Sequence, residues 1–238
     1  MKVLNSITVV LGGLLAVPVM QAGSLASACP TGDTLAFYEA HYNNVDHECS
    51  VGILNFLGFS SGENLDATEV GVVPVTDAGG GGGFELEALN SSVFTVGEGS
   101  STTYDIDWEF DIDPGPQGSN ASLSMDPPFG NVTISQNYCV DGTFGDGCSS
   151  DDEQSLTLTY PACDPLGTGE CNTSYSFNPP IVNFAGVETV IDLNGVGTQS
   201  GSGFDALTGT VALAPEPGTL LLGMGGLLAL GLRRSRRV

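Results

Sequence analysis

The sequence predicts an all-β fold: an antiparallel β-sandwich with disulfide-stapled loops, flanked by an N-terminal signal helix and a C-terminal hydrophobic helix. Three observations lead there. Short stretches alternate apolar and polar residues, Gly and Pro interrupt them at close intervals, and six cysteines form an even set beyond residue 28.

The chain opens with Lys2, a mostly apolar stretch from Val3 to Met20, and small residues ending Ala26-Ser27-Ala28. A positive start, an apolar middle and an A-x-A site describe a secretory signal peptide over 1–28, cut between Ala28 and Cys29. A buried N-terminal helix is the competing reading, but Gly12, Gly13 and Pro18 interrupt it. Lipoprotein processing would also make Cys29 the first mature residue. It favours an aliphatic residue three positions earlier, where this chain has Ala26.

The acidic domain, 29–214, holds 27 of the 28 Asp and Glu and no Lys or Arg, so its formal charge is near −27 against −23 for the whole chain. Such a surface has no cationic side chains to neutralise phosphates, which excludes nucleic-acid binding, and anionic lipid repels it. Its carboxylates are compensated by water, hydrogen-bond donors or solution cations. That favours solubility through like charge and leaves room for loosely held Ca²⁺.

The first regular element of this domain is a helix over Thr34–Tyr42, with Asp33 placed to cap it. Strands are expected at Val51–Phe59, Phe84–Leu89, Ser92–Val96, Val132–Val140, Ser155–Tyr160, Val187–Leu193 and Thr208–Ala214. The clearest strand is Tyr104–Asp113. Alternation without a break places Tyr104, Ile106, Trp108, Phe110 and Ile112 on a buried face and the acids in water, and Pro114-Gly115 ends it. Gly79–Gly83, five consecutive glycines, reads as a flexible loop, since the Lys-Ser/Thr ending of a phosphate loop is missing.

The cysteine spacing suggests local pairs: Cys29 with Cys49, Cys139 with Cys148, and Cys163 with Cys171. Short loops cost the least entropy to close, although fifteen connectivities are open. Zinc is the alternative, but no Cys-x-x-Cys occurs and the histidines lie far from most cysteines.

Candidate chemistry is sparse. Five carboxylates at alternate positions in 105–113 resemble EF-hand spacing, yet the sixth position, which needs Gly, is Phe110. Asp192-Leu193-Asn194-Gly195 echoes a calcium loop, but Val196 and Gly197 add no side-chain ligands. His41 and His47, the latter between Asp46 and Glu48, could join a metal site but sit in a cysteine loop with no second histidine pair. Gly201-Ser202-Gly203 lacks the strand–helix context of a nucleophile elbow and has no evident base. The lone Trp108 is committed to the core, so no sugar-stacking platform is evident. No catalytic, cofactor-binding or metal residues are therefore assigned.

The last segment, 215–238, reads Pro215-Glu216-Pro217-Gly218, then a fourteen-residue run from Thr219 to Leu232 that is apolar or glycine after its opening threonine, then Arg233, Arg234, Arg236 and Arg237. As a helix the apolar run rises about 21 Å, a marginal transmembrane span against a ~30 Å hydrocarbon core. The arginines stay cytoplasmic and act as a translocation stop. These features, in this order at the C-terminus, resemble the PEP-CTERM sorting signal. That resemblance implies an exosortase substrate, exported by the general secretion machinery of a Gram-negative-type bacterium. It would be held in the inner membrane as a precursor and then cleaved near Pro-Glu-Pro, for release to the cell surface or extracellular matrix. Cys139–Cys148, with an early helix and Cys49-Ser50-Val51-Gly52, is similar to small cysteine-bearing domains ahead of such tails. This one departs from them in carrying no lysine.

The expected function is a non-enzymatic structural or adhesive component of an exopolysaccharide layer, bridged to polysaccharide through divalent cations. The alternatives are a secreted polysaccharide-acting hydrolase and an uncleaved, membrane-tethered surface domain. A cleft with two facing carboxylates beside exposed aromatics would favour the hydrolase.

Overall fold

The computed structural model describes residues 26–214 except 45, 78–79, 113–116, 145–147, 150–151, 165–166 and 168–170. The signal segment up to Leu25, the Pro-Glu-Pro motif, the apolar run and the arginines lie outside the described residues. Among the described residues no helix is long and apolar enough to cross a membrane.

In chain order the elements are β1 (Ser27–Ala28), β2 (Asp33–Thr34), α1 (Leu35–His41), β3 (Cys49–Val51), β4 (Leu54–Ser61), β5 (Val70–Thr76), β6 (Gly82–Ala88) and β7 (Thr95–Val96). They continue as β8 (Ser101–Ile112), β9 (Gln117–Asp126), β10 (Val132–Val140), β11 (Glu153–Tyr160), β12 (Cys171–Ile181), β13 (Phe184–Asn194), β14 (Ser202–Gly203) and β15 (Ala206–Ala214). One sheet runs β1-β3-β4-β8-β13-β10-β11 and the other β12-β9-β15-β6-β5-β2, with β7 and β14 paired separately. All pairings are antiparallel except β1 with β3. The expected β-sandwich is present.

Its core follows the period-2 rule. Ile106, Trp108, Phe110 and Ile112 of β8 are buried, with Phe110 against Phe56 of β4 and Trp108 against Phe84 of the facing sheet. Tyr104, expected with them, is only partly buried. An edge-to-face aromatic cluster links α1 to the sandwich, with ring centroids 5.0 Å apart for Tyr38–Phe59 and 5.3 Å for Phe59–Phe84. One polar chain lies within this core, on β10 and β13: Tyr138 Oη donates to Gln136 Oε1 at 2.6 Å, and Gln136 Nε2 donates to Thr189 Oγ1 at 3.1 Å. Each buried group is thereby given a partner, which is the condition for keeping polar atoms in a dry interior.

Several sequence expectations are corrected. Thr34, not Asp33, caps α1, its hydroxyl accepting the Phe37 N–H at 3.3 Å. The stretch 51–59 is not one strand but the β3–β4 hairpin, because Gly52 takes a positive φ of 64° and turns the chain. Within 92–96 only Thr95–Val96 is extended, Phe94 having φ 52° at the end of a turn. The glycine run is not a flexible loop throughout: Gly82 and Gly83 belong to β6 and pair with β15 and β5. Side chains are excluded there by close backbone approach, since a Cβ on Gly81 would stand 1.9 Å from the Val211 carbonyl oxygen.

Three disulfides form, Cys29–Cys49, Cys139–Cys148 and Cys163–Cys171, the pairs that loop closure suggested. The last closes the connection between β11 and β12, which lie in different sheets.

Candidate functional site

β8, β13, β10 and β11 are neighbours in the larger sheet, and their register aligns outward side chains in transverse rows. The first row is Thr103–Asp192–Thr133–Thr159. The second is Asp105–Val190–Ser135–Thr157, and the third is Asp107–Glu188–Asn137–Ser155. Each row crosses four strands, about 14 Å at ~4.8 Å between strands.

A groove of about 760 Å³ lies over the first row. Ser101, Thr102 and Thr103 form one side, Asn131, Thr133, Asp192 and Asn194 the middle, and Thr159, Tyr160, Pro161 and Ala162 the far side. Strand ends meet here because β8 and β10 begin where β11 and β13 finish. Thr103 Oγ1 donates to Asp192 Oδ1 at 2.6 Å, fixing the one carboxylate among the described lining residues. Tyr160 lines the far side of the groove and is half-buried against the core. The arrangement offers hydroxyl and amide groups that both donate and accept and one acceptor-only carboxylate.

Behind the groove, Ser202 is fully buried and ties together two residues of its middle section, Asn131 and Asn194. Its hydroxyl accepts the Asn131 N–H at 2.8 Å and donates to the Asn194 carbonyl oxygen at 2.6 Å. The Gly-Ser-Gly segment considered as a nucleophile is therefore a structural clip. Its glycines are required by contact: a Cβ on Gly201 would stand 2.1 Å from the Val96 carbonyl oxygen.

The other residues singled out in the sequence disperse. Asp192 to Asn194 continue β13 instead of curling into a calcium loop, and Asn194 Oδ1 accepts the Val196 N–H at 3.0 Å. His41 stacks on Phe37 with centroids 4.0 Å apart, and its Nδ1 lies 2.9 Å from the Phe37 carbonyl oxygen. His47 Nδ1 lies 3.0 Å from Asn44 Oδ1. Among the described residues no group of three or more His, Cys, Asp or Glu is placed to hold a metal ion.

The β8 acids do face outward but are not all freely solvated. Asp107 is half-buried, and that burial, with Glu188 opposite and Asp105 nearby, pushes its carboxyl up to about 6 despite a hydrogen bond from Ser60. Its Oδ1 is buried without a hydrogen-bond partner.

Ala28 and Cys29, the two sides of the expected signal-peptide cut, are both in ordered contact with β3. Ser27 and Ala28 pair with Cys49 and Ser50, and the Cys29 N–H donates to the Ser50 carbonyl oxygen at 3.0 Å. The Cys29 sulfur is bonded to Cys49 and is therefore not free for lipid attachment.

Sequence reading missed the groove because its Thr and Asn residues lie on four strands up to some ninety positions apart. The available signal was the run of outward Thr at the ends of β8, β10 and β11, which gains meaning only once the register is known.

No family model matches the sequence, and no curated protein matches it. Among solved structures the chain is similar to TmCBM61 in complex with beta-1,4-galactotriose, at 12% identity and a TM-score of 0.33, covering 75% of this chain and 94% of that one. It is also similar to a family 11 carbohydrate-binding module from Clostridium thermocellum, at 11% identity and a TM-score of 0.32, covering 70% and 92%. A third likeness is the enzymatically active domain of a bacteriophage CBA120 tailspike protein, at 11% identity and a TM-score of 0.31, covering 67% of this chain and 19% of that one. These likenesses are too distant to carry a ligand or an activity to this chain.

Proposed function

We propose that the chain is an exported, non-enzymatic surface protein that works in an extracellular polysaccharide layer and contacts polysaccharide through the groove. The observation that carries this reading is the hydroxyl- and amide-lined row Thr103–Asp192–Thr133–Thr159 beside Tyr160. A ligand dense in hydroxyls can satisfy such a lining on every side, whereas an apolar ligand would leave it unpaired. A hydrolase of the two-carboxylate kind needs an acid and a second carboxylate flanking the bond. Asp192 is the single carboxylate among the described groove residues, so the cleft does not support the hydrolase reading.

Export is supported by the three disulfides, which persist in oxidising compartments. Sorting rests on the sequence of the tail, Pro215–Val238, with the secretion machinery and exosortase as its partners. The membrane-tethered alternative is decided by intact mass: retention of Arg233 to Arg237 on the native protein would establish the tether.

The groove is tested by titrating the full chain, exported to the periplasm of an expression host, with soluble polysaccharides. Binding that weakens in a Thr133→Ala, Thr159→Ala double variant of unchanged thermal stability supports the reading. Absence of binding to neutral, cationic and anionic glycans alike would sink it.

A further inference from the structure

The groove has a chemical bias beyond its hydroxyls, which follows from the charges around it. Asp192 is exposed, and Thr103 occupies only one of its oxygens. An ionised carboxylate accepts and never donates, so a ligand group reaching it must bring hydrogens. Further carboxylates follow along the same outer face: Asp105 in the second row, then Asp107 and Glu188 in the third. Rows two residues apart are separated by about 7 Å along the strands. No Lys or Arg occurs between Lys2 and Arg233, so no cationic side chain of the domain can offset these charges.

Each class of glycan meets this groove differently. A uronate or sulfated sugar would face Asp192 and Asp105 with no cation to receive it. A neutral sugar can pair with Thr133, Thr159 and Asn131 but gains nothing from the field. A glycan bearing protonated amines satisfies both: its hydroxyls meet the Thr and Asn groups, and an ammonium offers Asp192 three donors and an opposite charge. The domain's field also concentrates cations near its surface before contact.

We propose that the groove binds an amino-sugar polymer in its de-N-acetylated, cationic form, with Asp192 receiving an ammonium group. This rests on the reading of the groove as a glycan site and names the class of glycan. The ligand chemistry is selected at one position, and the surrounding acids supply attraction without contact.

The test compares four probes on the full chain at mildly acid pH: a glucosamine tetramer, its N-acetylated counterpart, a glucuronate oligomer and tetralysine. The glucosamine tetramer binds on the order of tenfold more tightly than the N-acetylated one, as expected of a charge-assisted contact. Added salt erodes that advantage and leaves the N-acetylated tetramer unaffected. Asp192→Asn abolishes most of the difference between the glucosamine tetramer and its N-acetylated counterpart, together with its salt dependence. Asn keeps an acceptor for Thr103, and a thermal melt verifies that the variant folds. Equal binding of the two tetramers, or preference for glucuronate, overturns the amino-sugar assignment and leaves the glycan reading standing. Tetralysine binding as tightly as glucosamine overturns it too, showing unselective attraction of polycations. Failure of every glycan overturns both.

Discussion

Asp107 on β8 and Glu188 on β13 stand directly opposite each other on the outer face of the larger sheet. Like charges at such a position oppose strand pairing. Two neighbours offset part of the cost: Asn137 Nδ2 donates to Glu188 Oε2 at 3.0 Å, and Ser60 Oγ donates to Asp107 Oδ2 at 3.4 Å. Burial, then Glu188, raises the Asp107 carboxyl to about 6, so the folded state holds a proton that the unfolded chain releases near pH 4. The stabilising effect of this proton is therefore full below about pH 4 and is lost as pH rises through about 6.

Asp107→Asn removes that dependence. The Asp107 carboxyl is only half-buried and water screens part of the interaction, so the variant gains about 1 kcal/mol over the wild type at pH 7.5 and nothing at pH 4. Urea midpoints at the two pH values measure this. An equal difference at both would mean that the pair does not share its strain with the proton.

Ser202 is the second position where one side chain carries more than its surroundings suggest. Ser202→Ala leaves the Asn131 N–H and the Asn194 carbonyl oxygen without their partner. Loss of a buried partner costs about 1–3 kcal/mol. Because both asparagines line the groove, glycan affinity falls with stability in this variant. A change in urea midpoint without any change in glycan affinity would separate the clip from the groove.

Gly83 tests the glycine run. A Cβ there would stand 1.9 Å from the Gly209 carbonyl oxygen, and backbone must move to admit it. Gly83→Ala is expected to cost at least ~2 kcal/mol, as overpacked positions do. A flexible loop would tolerate the same change within about 0.5 kcal/mol, so the urea midpoint distinguishes the two.

Strong alternation made part of this fold legible. Val132–Val140 is a strand to the residue, and the buried face of β8 follows from large apolar residues at every second position. β9 and β12 escape the same reading because small and polar residues fill them. Their inward positions include Ala121, Leu123 and Met125 in one and Thr173, Tyr175 and Phe177 in the other, between serines and asparagines. β5 escapes because Pro74 interrupts a continuous apolar run, which signals a strand less clearly than alternation does. The glycine run misleads because composition reports conformational freedom, while the fold uses the missing side chains for close approach. The groove was invisible for a further reason: which threonine faces which depends on register, a long-range property that no local pattern contains.

The disulfides invite a direct count. Closing the loop between Cys29 and Cys49, a separation of 20 residues, stabilises by about 3 kcal/mol in the chain-entropy model. A Cys29→Ser, Cys49→Ser double variant loses roughly that amount, and it also frees the N-terminal segment from β3. Non-reducing mass of the wild type should show six fewer hydrogens than the reduced chain, and no thiol should react, folded or unfolded, until a reductant is added. A mass raised by an acyl group at Cys29 would contradict the bond.

The domain's charge sets the last expectation. Residues 29–214 carry 27 carboxylates and no Lys or Arg, so folding gathers like charges that the unfolded chain keeps apart. Salt shortens the reach of that repulsion from about 30 Å at 0.01 M to about 3 Å at 1 M. The melting temperature therefore rises with NaCl, opposite to a protein held together by surface ion pairs. Calcium should raise it further at matched ionic strength, because a divalent ion can sit between carboxylates such as Asp107 and Glu188 and offset both at once. Equal effects of the two salts would reduce calcium to a screening ion. A melting temperature that falls as NaCl is added would mean that carboxylate repulsion does not limit the stability of this sandwich.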